Sequence, residues 1–183
     1  MSDMSELTLT PERTALVAID LMERIVALPT APHSGPDVLA RSVRLADALR
    51  DAGGTVAWVR VERPGVDEQP PGSGLSPEIE VAASDLEVVK RTWGAFQGTD
   101  LEAQLRKRDI DTIILTGLVT NFGVESTGRV ADDAGFRMIF VEDAMSGLDA
   151  HAHEFAVDYV LRKLGPVPST RETLDAIACS LAR

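Results

Sequence analysis

The sequence predicts an α/β fold of three layers, α/β/α, in which a mostly parallel sheet carries helices on both faces. Three observations predict it. Short continuous apolar runs, Thr14-Ala-Leu-Val-Ala-Ile19 being the first, have the length and side-chain bulk of strands buried on both faces. Segments whose apolar residues recur at helical spacing alternate with these runs. The strand and helix patterns repeat in that order along the chain, and parallel neighbours need such crossovers.

The elements follow in order. Asp20 stands at the carboxyl end of the first run. Pro36 suits the first turn of a helix whose apolar face is Val38, Leu39, Leu45, Ala46 and Leu49, and Gly53 suits its C-terminal cap. A second strand covers Thr55 to Val61. From Glu62 to Pro77 the chain is rich in Pro and Gly and continues neither structure, so it is the one long loop and a candidate border of the site. Then come strand Leu86 to Val89, a helix from about Thr99 to Arg108, strand Thr112 to Leu115, and a helix from Gly123 to Ala134 ended by Gly135. Strand Met138 to Val141 follows. A helix capped by Asp149 places Phe155, Ala156, Tyr159 and Val160 on one face, and a capping box of Ser169 with Glu172 opens the last helix before Leu174, Ile177 and Leu181.

With 183 residues and no interdomain linker or internal repeat, the chain reads as one domain, 1–183, with a single substantial core. Its 29 acidic against 18 basic residues give a net charge of -11, which opposes a nucleic-acid partner. The basic cluster Arg106-Lys-Arg108 closes a helix, where cations complement the dipole. The single cysteine, Cys179, excludes an internal disulfide, fits a reducing compartment, and is expected to be a buried structural thiol. Met1-Ser-Asp-Met-Ser-Glu6 has no basic leader region, and no apolar run approaches the roughly 20 residues that cross a bilayer. These features predict a cytoplasmic protein without a membrane partner.

Ligands of an open parallel sheet bind beyond the carboxyl ends of its strands. Asp20, Lys90 and the corner Thr120-Asn-Phe-Gly123 all fall there. Asp20 is the candidate general acid or base, its ordinary alternative being an N-cap. Lys90 would be a fixed cation that orients Asp20 or stabilises an anion, its alternative being a snorkelling strand-end lysine. In the following Arg91-Thr-Trp-Gly-Ala-Phe-Gln-Gly-Thr-Asp100, Trp93 and Phe96 are either walls of an apolar pocket or plugs of the core. Gly123 and Val124 would offer backbone N–H groups at a helix N-terminus, a place that favours negative charge.

Taken together, Asp20, Lys90, the Gly-Ala-Phe and Gly-Thr pattern after Lys90, and Thr116-Gly-Leu-Val-Thr-Asn-Phe-Gly-Val-Glu-Ser-Thr-Gly-Arg129 resemble the isochorismatase-like, or cysteine hydrolase, superfamily from Thr14 to Ile177. The resemblance implies a Rossmann-like hydrolase fold with a six-stranded sheet, a homo-oligomer of two or more chains, and a catalytic set of Asp, Lys and Cys. Here Asp20 and Lys90 match, and Gly123 stands where the cysteine would be. It further implies a small-molecule substrate held by Trp93, Phe96, Val119, Thr120, Asn121, Phe122 and Val124, and a cis peptide before the Thr, at Val119–Thr120. Neither Cys179 nor Ser126 is placed to replace the thiol, because no histidine lies near Ser126 in sequence.

No cofactor is implied, and no metal. His33, His151 and His153 show no ligand spacing, and the region after the second strand, where metal-containing nicotinamidase relatives carry Asp and His, reads Arg60-Val-Glu-Arg-Pro64. Asp20-Leu-Met-Glu-Arg-Ile25 replaces the glycine-rich turn a dinucleotide needs. Three functions stay open: a hydrolase using Asp20 and Lys90 without a thiol, a noncatalytic small-molecule binder on the same scaffold, and a cysteine amidase whose nucleophile has been substituted. Protonation of a vinyl ether needs a donor and no nucleophile, so the first accommodates Gly123.

Overall fold

The computed structural model describes residues 7–182, so the opening segment read above for a leader lies outside the described residues. Strand β1 (Thr14–Ile19) leads through the short α1 (Glu23–Val26) to α2 (Gly35–Asp51). Then follow β2 (Thr55–Val61), β3 (Leu86–Lys90), α3 (Leu101–Lys107) and β4 (Thr112–Leu118). A wide π-type turn, Thr120–Val124, opens α4 (Glu125–Asp133). The chain ends with β5 (Arg137–Ser146), α5 (Ala150–Phe155) running through a second π turn into α6 (Arg162–Leu164), and α7 (Thr170–Ser180).

The sheet order is β3-β2-β1-β4-β5, with every neighbour parallel. Alternate residues of each strand feed two apolar layers, as the two-residue period of a strand requires. Leu16, Ala18, Val56, Trp58, Ile114 and Ile139 pack with α2 and α7 on one face. Ala15, Val17, Val59, Ile113, Leu115 and Phe140 pack with α3, α4 and the second π turn on the other. No helix among the described residues is long and apolar enough to cross a membrane.

The helix ends obey the residues that flank them. Ser34 caps α2 by accepting from Asp37 N, Asp149 caps α5 through Ala152 N, and Ser169 with Glu172 forms the capping box of α7. Gly53, after the end of α2, has φ of 89°, the left-handed conformation that favours glycine.

Five strands form among the described residues, not six. The segment that would add the sixth is visible: Phe140 N donates to Pro166 O and Glu142 N donates to Pro168 O. A parallel ladder needs return donors from the partner, and the residues at 166 and 168 are prolines without an N–H. The pairing is therefore one-sided.

Three smaller expectations also change. Phe155 and Tyr159 are exposed and stack on each other with ring centroids 5.1 Å apart, while Ala156, Val157 and Leu161 face the core. Cys179 is exposed, because α7 buries Thr170, Thr173, Ala176 and Ile177 and position 179 lies off that stripe; Leu181, past the helix end, is exposed as well. The non-proline cis peptide joins Leu118 to Val119, one bond earlier than expected, since such a bond leaves no signature in the sequence.

Candidate active site

Residues from three strand ends meet at the carboxyl edge, where the chain leaves β1 for one side of the sheet and returns to the other in β4. The approach of β1 and β4 there depends on Gly117. Its φ is 113°, and a Cβ would lie 2.1 Å from Ile19 O. Asp20 follows Ile19 with φ of 52°, a left-handed conformation that Asp tolerates better than most side chains. Its N–H donates to Val59 O at 2.8 Å, which closes β1 against β2.

The Asp20 side chain is not a helix cap; α1 has no side-chain cap bond. Its Oδ2 lies 2.9 Å from Lys90 Nζ. Both groups are buried, at 6% and 2% exposure. Lys90 Nζ also donates to the carbonyls of Thr92 (3.2 Å) and Trp93 (3.0 Å), so its three donors all have partners and it cannot snorkel. Asp20 Oδ1 is buried without a hydrogen-bond partner. Burial pushes the Asp20 carboxyl up from the ordinary aspartate value; Lys90, and more weakly Arg24, pull it back without cancelling the rise. The pair therefore holds a carboxyl that protonates more readily than an exposed one.

Gly123 completes the group. A Cβ built on it would stand 3.4 Å from Asp20 Oδ2, 3.4 Å from Trp93 O and 3.0 Å from Ile19 Cγ2. A side chain at this position would point at the Asp20 carboxylate, and its Cβ would already press on Ile19, so glycine is the residue that fits this buried corner without displacing a neighbour. The corner is fastened from behind: Thr127 Oγ1 donates to Gly123 O at 2.6 Å and accepts from Ala95 N at 3.0 Å. Thr127 was not among the candidates, though it sits in the quoted motif one helical turn beyond Gly123.

The remaining candidates divide into three groups. Trp93 (66% exposed) and Phe122 (40% exposed) stack with centroids 5.1 Å apart beside the corner, and Asn121 is half-buried next to Phe122. Phe96, Val119 and Val124 turn into the core layers, Phe96 against Phe136. The amide of Val124 donates back to Val119 O at 3.4 Å, as does that of Phe122 at 3.1 Å, so the expected Val124 donor is committed inside the turn. Thr120 is fully buried, and its Oγ1 lies 2.8 Å from His153 Nδ1.

That contact exposes residues that sequence spacing did not reveal. Glu142 Oε1 lies 3.0 Å from His33 Nε2 and 3.2 Å from His153 Nε2. Hydrogen bonding to His153, then to His33, holds the Glu142 carboxyl down to about 2, despite the opposing effect of burial. The fold thus gathers the histidine and carboxylate cluster that the sequence pattern gave no reason to expect. After the second strand, by contrast, Glu62 pairs with Arg60 at 2.8 Å and Arg91 at 2.7 Å. A cavity of about 560 Å³ along the long loop, lined by Arg60, Ser73, Leu75, Ile79 and Glu87 among others, contains none of Asp20, Lys90 and Gly123. The loop packs on the chain just after Asp20: Gly72 O and Gly74 O accept from Arg24 N and Glu23 N, and Ser76 N donates to Leu21 O.

The family model of the isochorismatase domain matches residues 14–172. The chain belongs to the isochorismatase family. Its relatives include the uncharacterized isochorismatase family protein YecD of Escherichia coli O157:H7, 40% identical over 189 residues, covering 93% of this chain and all of that protein. The uncharacterized isochorismatase family protein YwoC of Bacillus subtilis (strain 168) is 38% identical over 191 residues, covering 95% and 99%. A solved isochorismatase family protein from Burkholderia thailandensis superposes with a TM-score of 0.84 at 39% identity, covering 95% of this chain and all of the other. The parallel α/β sheet is accordingly that of the isochorismatase family.

Proposed function

We propose that this isochorismatase family member is a hydrolase that cleaves a small molecule by proton transfer from Asp20, without a covalent thioester. The observation that carries the proposal is the Asp20 carboxyl: buried, raised in pKa, fixed through Oδ2 to Lys90, and left with Oδ1 unpartnered. A carboxyl so held can give a proton at a defined point. Gly123 supplies no nucleophile, and the only thiol, Cys179, lies exposed on α7.

A vinyl ether is the substrate class that suits these groups. Asp20 gives its proton to the terminal vinyl carbon, and the ether oxygen stabilises the resulting oxocarbenium ion. Water adds to that cation and returns a proton to Asp20, and the hemiketal collapses to a carbonyl compound and an alcohol. Lys90 holds the carboxyl in place throughout. Gly123 puts no side chain between an incoming substrate and Asp20 Oδ2, and Trp93 with Phe122 offers an exposed apolar wall. A substituted C–N hydrolase or a pure binding protein on the same scaffold is favoured by one feature, the absence of a side chain at Gly123.

The test is a screen of vinyl ethers, amides, ureas and nitriles against wild type and Asp20→Asn in parallel. Turnover of a vinyl ether that drops at least roughly 100-fold in Asp20→Asn is expected, the lower range for loss of a general acid. Turnover that survives the substitution sinks the proposal, and saturable binding without turnover selects the binding protein.

A further inference from the structure

His33, Glu142 and His153 come from three parts of the chain, separated by 109 and 11 residues along it. His33 lies in the loop before α2, Glu142 in β5 and His153 in α5. One donor atom of each lies within 4.8 Å of the other two. Both histidines present Nε2 to the same oxygen, Glu142 Oε1, and the two rings meet edge to face with centroids 5.9 Å apart.

The trio is held rigidly from outside. Ala31 and Gly147 exchange backbone hydrogen bonds of 2.9 and 3.0 Å, His33 N donates to Ser146 Oγ at 3.1 Å, and Thr30 Oγ1 donates to His33 O at 2.8 Å. The loop that carries His33 is thereby pinned to the end of β5. The His153 ring is fixed through Nδ1 by Thr120 Oγ1. An oriented imidazole whose second nitrogen is hydrogen-bonded is the arrangement that metal-ligating histidines adopt.

We propose that His33, Glu142 and His153 form a binding site for a divalent transition metal ion of the zinc class, separate from Asp20 and Lys90. Two imidazoles and one carboxylate are the donor set that zinc shares with its first-row neighbours, whereas magnesium and calcium favour oxygen alone. Ligand atoms about 2.1 Å from a tetrahedral zinc lie about 3.4 Å from one another. The two nitrogens lie 3.0 and 3.2 Å from Glu142 Oε1 and all three atoms lie within 4.8 Å of one another, so the carboxylate must move out by a few tenths of an ångström to admit the ion. His33 and Glu142, with side chains 23% and 35% exposed, leave a side from which water can complete the coordination.

The ion has a consequence for the corner. A carboxylate oxygen only accepts, so with a neutral imidazole and no metal the proton of His153 is on Nε2, toward Glu142 Oε1, and Nδ1 accepts from Thr120 Oγ1. Metal at Nε2 requires the other tautomer, in which Nδ1–H donates to Thr120 Oγ1. The Thr120 hydroxyl proton is then released from His153. Metal binding and the orientation of the corner hydroxyl are therefore coupled.

The test titrates chelator-treated protein with zinc chloride by calorimetry, and with cobalt chloride by visible absorption, in wild type and in variants whose folding is checked by circular dichroism and urea melts. Wild type should take up one zinc per chain, melt at higher temperature with zinc than without, and give a cobalt spectrum lacking thiolate bands. His33→Gln and Glu142→Gln should each weaken binding by at least roughly 100-fold, and Thr120→Val, which removes only the partner of His153 Nδ1, by roughly 10- to 100-fold. His151→Gln and Cys179→Ser, both on exposed positions, should bind as wild type does. No saturable uptake by wild type, or unchanged uptake by His33→Gln and Glu142→Gln, overturns the site.

Discussion

At the scale of single residues, the Asp20–Lys90 pair makes a pH-dependent claim with a definite sign. The folded-state pKa of Asp20 lies above its unfolded value of about 3.9. Its contribution to stability is therefore fully present below the unfolded pKa and is lost as pH rises through the folded one. The proposed function ties rate to the same titration: with Asp20 as the proton donor, kcat/KM should show a limb that declines with rising pH, at a pKa above that of ordinary aspartate. Lys90→Met removes the main influence that lowers the pKa, so this limb should move to higher pH in the residual activity. A limb unmoved by Lys90→Met would show that Asp20 is not the titrating group. Position 123 can be probed chemically in a Cys179→Ser background. Gly123→Cys places a thiol beside the carboxylate, which opposes thiolate formation, so adding Asp20→Asn should speed alkylation near neutral pH. Equal rates in the two variants would separate position 123 from Asp20. That Asp20, Lys90 and position 123 meet at one sheet edge was legible in the sequence because each closes or follows an apolar strand. His33, Glu142 and His153 were not, because no local pattern joins residues that meet only through tertiary folding.

At the scale of elements, strand cores were legible and their ends were not. β5 runs on from Val141 to Ser146 although Glu142 and Asp143 interrupt the apolar run. Both acids are held by partners no local pattern shows: Glu142 by the two histidines, and Asp143 by Thr170, whose N–H and hydroxyl both donate to Oδ1 at 2.6 and 2.7 Å. Helix α4 offers a sharper test of packing against propensity. Gly128 lies inside it, and a Cβ there would come within 2.6 Å of the Phe140 ring on β5. Alanine is the better helix former by about 1 kcal/mol, yet overpacking of this kind costs about 1–3 kcal/mol. Gly128→Ala should therefore lower the urea midpoint, and restoring it with Phe140→Leu in the same chain would identify the ring as the cause. A higher midpoint in Gly128→Ala alone would mean that α4 shifts freely on the sheet.

At the scale of the whole molecule, Asp85 ties distant parts together from the turn before β3. Its side chain, 1% exposed, accepts from Arg50 of α2 at 3.0 and 2.8 Å, from Trp58 Nε1 of β2 at 2.9 Å and from Ala82 N at 3.0 Å. Burial pushes its pKa up, but the Arg50 and Trp58 hydrogen bonds, the Ala82 amide and the Arg50 charge together hold it below the ordinary value. The sign is opposite to that of Asp20: this stability is present above the unfolded pKa of about 3.9 and is lost as pH falls through the lowered folded value. Asp85→Asn should cost about 3 kcal/mol at neutral pH, as breaking one partner of a buried ion pair does. The variant should also lose less than wild type on acidification, which urea melts from neutral pH downward would reveal. A parallel loss in both proteins would assign the acid sensitivity elsewhere.

The paired prolines beside β5 bear on how the border of the sheet is finished. An open sheet ends in rows of unused amides and carbonyls, and an unguarded edge recruits any extended chain. Here the stretch through Pro166 and Pro168 takes up the amides of Phe140 and Glu142 and, at those two positions, has no amide to return to β5. Pro166-Val-Pro168 thus acts as a hem laid along β5: it occupies the border at Phe140 and Glu142 through carbonyls alone, so that this stretch of β5 is covered without becoming part of a full ladder.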